Sequence, residues 1–253
     1  MTEPVFMLKQ HWYLISIAFI GIFFGILAGI FFSLIHDLPQ INSLKQFKPS
    51  SVTTVFSSDN KILAKFYIEK RFPVSIEKIP KNLISALITI EDKNFYIHSG
   101  INLKAIFRAI LHNLKARGYT QGASTLTQQL AKTLFLSSEK SIARKIKEAF
   151  LTIQIERRYT KNEILELYLN LIYLGSGVYG VEAASQTYFG KSVKDLTLAE
   201  SALIAGLPKA PSVYSPIKNP DLAKKRRDIV LQQMLNAKII TSVEYNLAKA
   251  IEI

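Results

Sequence analysis

The chain has 253 residues, of which 49% are hydrophobic and 20% charged, with 32 Lys and Arg against 19 Asp and Glu. That is enough apolar material for a sizeable core, and it excludes a disordered chain. The absence of Cys excludes disulfides and thiolate metal sites. The formal charge of +13 points toward polyanionic ligands or an anionic membrane surface. No zinc pattern, nucleic-acid motif or basic tail accompanies that charge, so nucleic acid is not an expected partner.

Residues 1–11 form a short tail with one Lys and one Glu. Residues 12–35, WYLISIAFIGIFFGILAGIFFSLI, carry no charge at all. As a helix this run would be about 36 Å long at roughly 1.5 Å per residue, against a hydrocarbon core of about 30 Å. It exceeds a signal-peptide apolar region and lacks a small-residue cleavage site after it. The expectation is an uncleaved, single-pass transmembrane anchor. Gly21, Gly25 and Gly29 fit either a helix-packing face or ordinary membrane-helix glycines. Nearly all the positive charge follows the anchor, which a simple charge rule would keep in the cytoplasm. Long domains translocate largely regardless of charge, however, so orientation has to follow from function.

A polar linker at 36–50 is expected next, with a main domain over 51–253. Its start alternates (Val52, Thr54, Phe56, then Ile62, Ala64, Phe66, Ile68) around a turn at SSDN, and reads as a β-hairpin. From Pro80 onward the period is helical, so the fold class is mainly α. LISALITI leads into EDKNFYIHSG, so a hydrophobic helix ends in the carboxylate pair Glu91 and Asp92. The helix dipole and partial burial both disfavour charge at Glu91, which suits a proton acceptor. Asp92, His98 and Gly100 read as shaping the loop that follows.

LKAIFRAILHNLKAR carries an apolar stripe, Ile106, Phe107, Ile110, Leu111 and Leu114, flanked by basic residues. Core packing and insertion into a membrane interface both fit. GASTLTQQLAKTLFL divides on a helical wheel into a face of Ser124, Thr125, Gln128, Gln129 and Lys132 and a face of Leu126, Leu130 and Leu134. Hydroxyls, amides and a single cation suit a sugar or phosphate; a solvated polar face capped by Ser124 is the plainer reading. In RKIKEAFLTIQIER, Ile142, Ile146, Ala149, Phe150 and Ile153 form the expected buried stripe. Arg144 and Glu148 lie opposite it, with Lys145 between. Leu151 and Ile155 on that opposite side suggest that the ion pair faces a cleft.

Thr160–Glu163, Thr197–Glu200 and Thr241–Glu244 each match a helix capping box, which removes those three Glu from the candidate acids. Gly175, Gly177 and Gly180 mark an interhelical loop. Pro208, Pro211, Pro216 and Pro220 punctuate the path to two final helices.

In this order EDKNFYIHSG, GASTLTQQLAKTLFL, RKIKE, ILELYLNLIYLGSGVYGVEAA and QTYFGK resemble the five signature regions of the peptidoglycan glycosyltransferases. This is the lysozyme-like domain of class A penicillin-binding proteins and their monofunctional relatives. The resemblance covers roughly residues 50–253. Asn102 stands where the family often has Asp, and Thr133 where it often has Asn. The resemblance implies polymerisation of lipid II on the outer face of the cytoplasmic membrane, with the lipid-linked nascent glycan as donor and inversion at the sugar. It implies Glu91 as general base, Glu148 as a second essential carboxylate, and Lys132 and Arg144 on the pyrophosphate. Asp92, His98, Ser124, Thr125, Gln128, Gln129 and Lys145 complete the expected substrate-binding set. No cofactor is required by the sequence; a divalent Mg or Mn ion at the pyrophosphate is compatible with it. Partnership with other cell-wall synthesis proteins is compatible with the resemblance.

SxxK occurs three times and SDN once, but no KTG follows them, so no transpeptidase domain is expected in this chain. YFGKS lacks the upstream Gly of a phosphate-binding P-loop. A glycan-cleaving lysozyme-type enzyme and a non-catalytic membrane scaffold remain as rival readings. The first would not need Lys132 and Arg144, and the second would not need Glu91 and Glu148.

Overall fold

A computed structural model describes residues 4–36, 38, 53–59, 62–66, 71–115, 122–136, 139 and 141–252. Ten α-helices and two strands occur among them. Helix α1 spans Pro4–His36, and its described side chains are exposed. Among the described residues no helix is long and apolar enough to cross a membrane. The side chains of Leu27, Ile30, Phe31, Leu34 and Ile35, all within the uncharged run, lie outside the described set. Most of the expected 36–50 linker is also outside it.

Strands β1 (Thr53–Phe56) and β2 (Ile62–Phe66) pair antiparallel, with Thr53 opposite Phe66 and a register irregularity at Val55 and Phe56. Val52, Asn60 and Ile68 of the alternating pattern are outside the described residues.

The remainder is helical: α2 (Lys81–Glu91), α3 (Leu103–Lys115), α4 (Leu126–Phe135), α5 (Ile142–Arg158), α6 (Lys161–Leu171), α7 (Val181–Phe189), α8 (Leu198–Gly206), α9 (Pro220–Asn236) and α10 (Ser242–Ala250). Two packing groups organise it. Helix α8 packs on α2 and α9, and α4 packs on α5 and α6. Helix α8, LAESALIAG, is apolar nearly all round, and all but Leu198 and Glu200 are buried. A helix without a polar face has to sit at the centre. Its small residues let neighbours approach closely.

All three expected capping boxes form, so Glu163, Glu200 and Glu244 bond the N-caps of α6, α8 and α10. The strap at 71–80 is tied to α6. The Asn170 amide donates to the Val74 carbonyl at 2.8 Å and accepts from the Val74 N–H at 2.9 Å. Glu166 accepts from the Ile76 N–H at 2.8 Å. Gly180 has φ +80°, and a Cβ there would stand 2.7 Å from the Asn170 carbonyl oxygen, so glycine is needed on both counts.

At the other end, Arg227 on α9 is buried. It donates to the carbonyls of Ile251 (2.5 Å) and Lys249 (3.0 Å), at the close of α10. Lys224 pairs with Glu252 at 2.7 Å. The C-terminal carbonyls of a helix lack intrahelical partners, and here α9 supplies some.

The α5 stripe requires a correction. Its buried residues are Glu148, Leu151, Thr152 and Ile155, while Ile142 is 83% exposed and Ile153 is exposed as well. The reason is tertiary: α4 and α6 lie against the side of α5 that carries Glu148. Burial of Leu151 and Ile155 there outweighs the longer apolar count on the other side, at about 1.5–3 kcal/mol for each large aliphatic side chain.

Candidate active site

The C-terminus of α2, the N-terminus of α4 and the flanks of α3 and α9 enclose a cleft of about 740 Å³. Helix α2 buries Leu83, Ala86, Leu87 and Thr89 and stops at Glu91. Glu91 is half-buried and lines the cleft. Its Oε2 accepts from Gln129 Nε2 at 2.8 Å, and Gln129 Oε1 accepts from the Tyr168 hydroxyl at 2.9 Å.

Asp92 borders the same cleft but is buried and bonded within the protein. It accepts from the Leu126 N–H at 3.0 Å, on the first turn of α4, and contacts His98 Nε2 at 2.9 and 3.0 Å. The Gly100 N–H donates to His98 Nδ1 at 3.0 Å, so Nε2 bears the proton that Asp92 accepts. A carboxylate at a helix N-terminus is favoured by the free N–H groups and the dipole. Asp92 and His98 therefore join α2, the following loop and α4, and hold Glu91 at a fixed height over the cleft.

The polar face read from GASTLTQQLAK does not act as one surface. The helix starts at Leu126, with Thr125 rather than Ser124 as N-cap. Thr125 and Gln128 form a fourth capping box. The Thr125 hydroxyl also donates to the Gly100 carbonyl at 2.5 Å, and Gln128 is buried. Their polar groups are thus taken up inside the fold. Lys132 is exposed and is not among the cleft-lining residues. Ser124, Thr125 and Gln129 do line the cleft.

Glu148 is only 3% exposed and accepts from Arg144 Nη1 at 2.9 Å and from Lys145 Nζ. Lys145 Nζ also donates to Ser124 Oγ at 3.1 Å, which carries this cluster to the rim of the cleft. The Arg144 Nε is buried with no protein partner. The Arg144–Glu148 pair is largely shielded from solvent, but neither it nor Lys145 is among the cleft-lining residues.

Four basic side chains, Lys93, Arg108, Lys209 and Arg226, line the cleft against two carboxylates, Glu91 and Asp92. An anionic ligand is favoured there. Sequence reading missed the most buried of these cations. Arg226 sits in NPDLAKKRRDIVLQQML, where a basic run looks solvated. Yet its Nε donates to the Gly206 carbonyl at 3.0 Å. A Cβ on Gly206 would stand 2.9 Å from Arg226 Cγ, so glycine lets the arginine pass. Burial pushes the Arg226 guanidinium below its usual range, opposed by the charge of Glu91 and then by Tyr214. The Ala-Gly end of α8 was the one signal of such a close approach. Lys209 and Tyr168 were missed as well, the latter because a Tyr within ILELYLNL reads as core. Among the described residues no three His, Asp or Glu come together as a metal site.

The family model for the transglycosylases matches residues 59–235, most of the chain. The chain belongs to the transglycosylase family. Relatives are similar over most of this chain. Penicillin-binding protein 1A of Vibrio cholerae serotype O1 is 50% identical over 222 residues, 88% of this chain and 27% of the relative. Penicillin-binding protein 1A of Aquifex aeolicus is 47% identical over 232 residues, 90% of this chain and 32% of that protein. The crystal structure of penicillin-binding protein 1A from Haemophilus influenzae aligns with a TM-score of 0.50 at 30% identity, over 81% of this chain and 21% of that one. The chain thus spans about a quarter to a third of the length of these two curated relatives. The transglycosylase match covers every residue of the cleft lining, from Thr89 to Gln233.

Proposed function

We propose that this transglycosylase polymerises lipid II into β-1,4 glycan strands while anchored to the outer face of the cytoplasmic membrane. The observation that carries the reading is Glu91. It is a half-buried carboxylate presented at a helix C-terminus into a basic cleft, with one oxygen held by Gln129. Glu91 takes the proton of the acceptor 4-hydroxyl as that oxygen attacks the donor sugar. The new bond forms at the anomeric carbon from the face opposite the departing lipid pyrophosphate, so an α-linked donor gives a β-linkage. Arg144 and Lys145, with Lys132, stabilise the charge that develops on the pyrophosphate. A unit charge pair about 4 Å apart is worth roughly 4 kcal/mol at an effective dielectric of 20. Glu148 serves by holding Arg144 and Lys145 in place.

The uncharged run 12–35 supports a single-pass anchor. Leu103, Phe107 and Leu111, one turn apart on α3, are all exposed, which supports contact of that face with the bilayer. The neighbouring stripe positions Ile110 and Leu114 have side chains outside the described residues. Ala105 and Arg108 of the same helix line the cleft, which would bring a lipid-linked substrate from the bilayer into it.

Glu91→Gln keeps the shape and removes the base. Incubated with labelled lipid II, it should bind substrate and make no glycan. Glycan synthesis at the wild-type rate would refute the assignment and make Glu148 the next candidate.

A further inference from the structure

Tyr168 lies in the middle of α6 at 1% exposure, with its ring in the main hydrophobic cluster. Packing alone would be served by Phe. A buried hydroxyl needs its own reason, since without a partner it carries a desolvation cost. Its partner is Gln129 Oε1, at 2.9 Å, and the nitrogen of the same amide donates to Glu91 Oε2 at 2.8 Å.

The three groups can be ordered by what each is able to do. An ionised carboxylate only accepts, so the amide nitrogen has to face Glu91. The amide oxygen is then aimed at Tyr168, which has to donate. Burial, reinforced by the negative charge of Glu91, pushes the phenol well above its usual value of 10, so it keeps its proton throughout the working range. The result is a directional chain, with the hydroxyl fixing the amide and the amide fixing one oxygen of the carboxylate.

We propose that Tyr168 is a positioning residue of the active site: acting through Gln129, it commits Glu91 Oε2 and leaves Oε1 free to receive the acceptor proton. This rests on the reading of Glu91 as general base. With the hydroxyl gone, the Gln129 oxygen loses its donor, the amide is free to turn, and the carboxylate rotates among several orientations. Only a fraction of them face the acceptor hydroxyl. Tyr168 is buried and the Gln129 amide, although it lines the cleft, is bonded at both ends within the protein, so turnover falls while the KM for lipid II holds.

The test uses the full chain in detergent with lipid II, comparing Tyr168→Phe, Gln129→Met, the double variant and Glu91→Gln. Tyr168→Phe should lower kcat about five- to tenfold, the rate equivalent of one hydrogen bond, with KM within twofold. Because both single changes cut the same chain, the double variant should be no slower than Gln129→Met alone. A merely structural hydroxyl predicts the opposite, a double variant slowed by the product of the two single effects. That result would overturn the inference, as would wild-type kcat in Tyr168→Phe while Glu91→Gln is inactive. An active Glu91→Gln would instead overturn the general-base reading and the inference with it. Should Tyr168→Phe melt early, Gln129→Met carries the same test from the other end of the bond: a lowered kcat at unchanged KM supports it, and wild-type kcat overturns it.

Discussion

Asp92→Asn separates a residue that binds substrate from one that builds the site. The two side chains are nearly the same size, so packing is preserved. The native carboxylate meets two donors, the Leu126 N–H and His98 Nε2–H. The histidine cannot become an acceptor on that side, because its Nδ1 already accepts from the Gly100 N–H. An asparagine offers one oxygen and one NH2. Whichever way it turns, the NH2 meets at least one N–H, and one hydrogen bond to a charged acceptor is lost. Such bonds contribute about 1.5–3 kcal/mol, and Asp92 is buried, so solvent offers little relief. For a chain of this size each kcal/mol moves the melting temperature by roughly 2–4 °C. The expected fall is therefore roughly 3–12 °C, followed by circular dichroism at 222 nm on the full chain in detergent, with lipid II binding measured in parallel. An unchanged melting temperature with weakened lipid II binding would refute the reasoning and return Asp92 to the substrate.

Phe107→Ser, alone or with Ile110→Ser, should reduce partitioning of an anchor-deleted protein onto anionic liposomes several-fold, read by co-sedimentation; unchanged partitioning by a folded variant would count against bilayer contact by α3. Glu200 should make stability depend on pH in one direction. Burial pushes its carboxyl up, but the Lys191 and Thr197 bonds outweigh that and leave it below its usual value of about 4.5. A lowered folded value means the stabilisation is complete above pH 4.5 and lost as pH falls through the lower folded value. Thermal melts of Glu200→Gln and wild type should therefore differ at pH 7 and converge under acid; a constant difference would contradict this.

Much of the helical architecture was legible because its signals are local. The three Thr-x-x-Glu boxes name their own bonding partners, and all form. The place of Glu91 at the end of α2 was legible for a related reason, since the apolar run LISALITI leads straight into it. The α5 face was not legible: counting apolar residues ignores which neighbours arrive, and α4 and α6 arrive on the side of Glu148. The capping box of Thr125 and Gln128 was not legible, because Thr-x-x-Gln is a weaker form of the same box, placed in a stretch whose polar residues invited a ligand reading. Arg226 carried only the faint signal of the Ala-Gly end of α8, and Tyr168 carried none in the sequence. Each acts through a partner distant in the chain, Gly206 and Gln129 respectively, and neither pairing has a spacing to recognise.

The two adjacent arginines of α9 have a mechanical consequence. Successive residues on an α-helix project about 100° apart. Arg226 therefore looks into the cleft while Arg227 looks toward the last carbonyls of α10. A helix is stiff about its own axis, so the two side chains turn together like the arms of a bell crank. Any roll of α9 that slackens the grip on Lys249 and Ile251 also swings the buried cation relative to Glu91, and a pull on the end of α10 is felt at the cleft wall. If α9 turns as one body, a change in the docking of α10 would move the Arg226 charge that bears on Glu91.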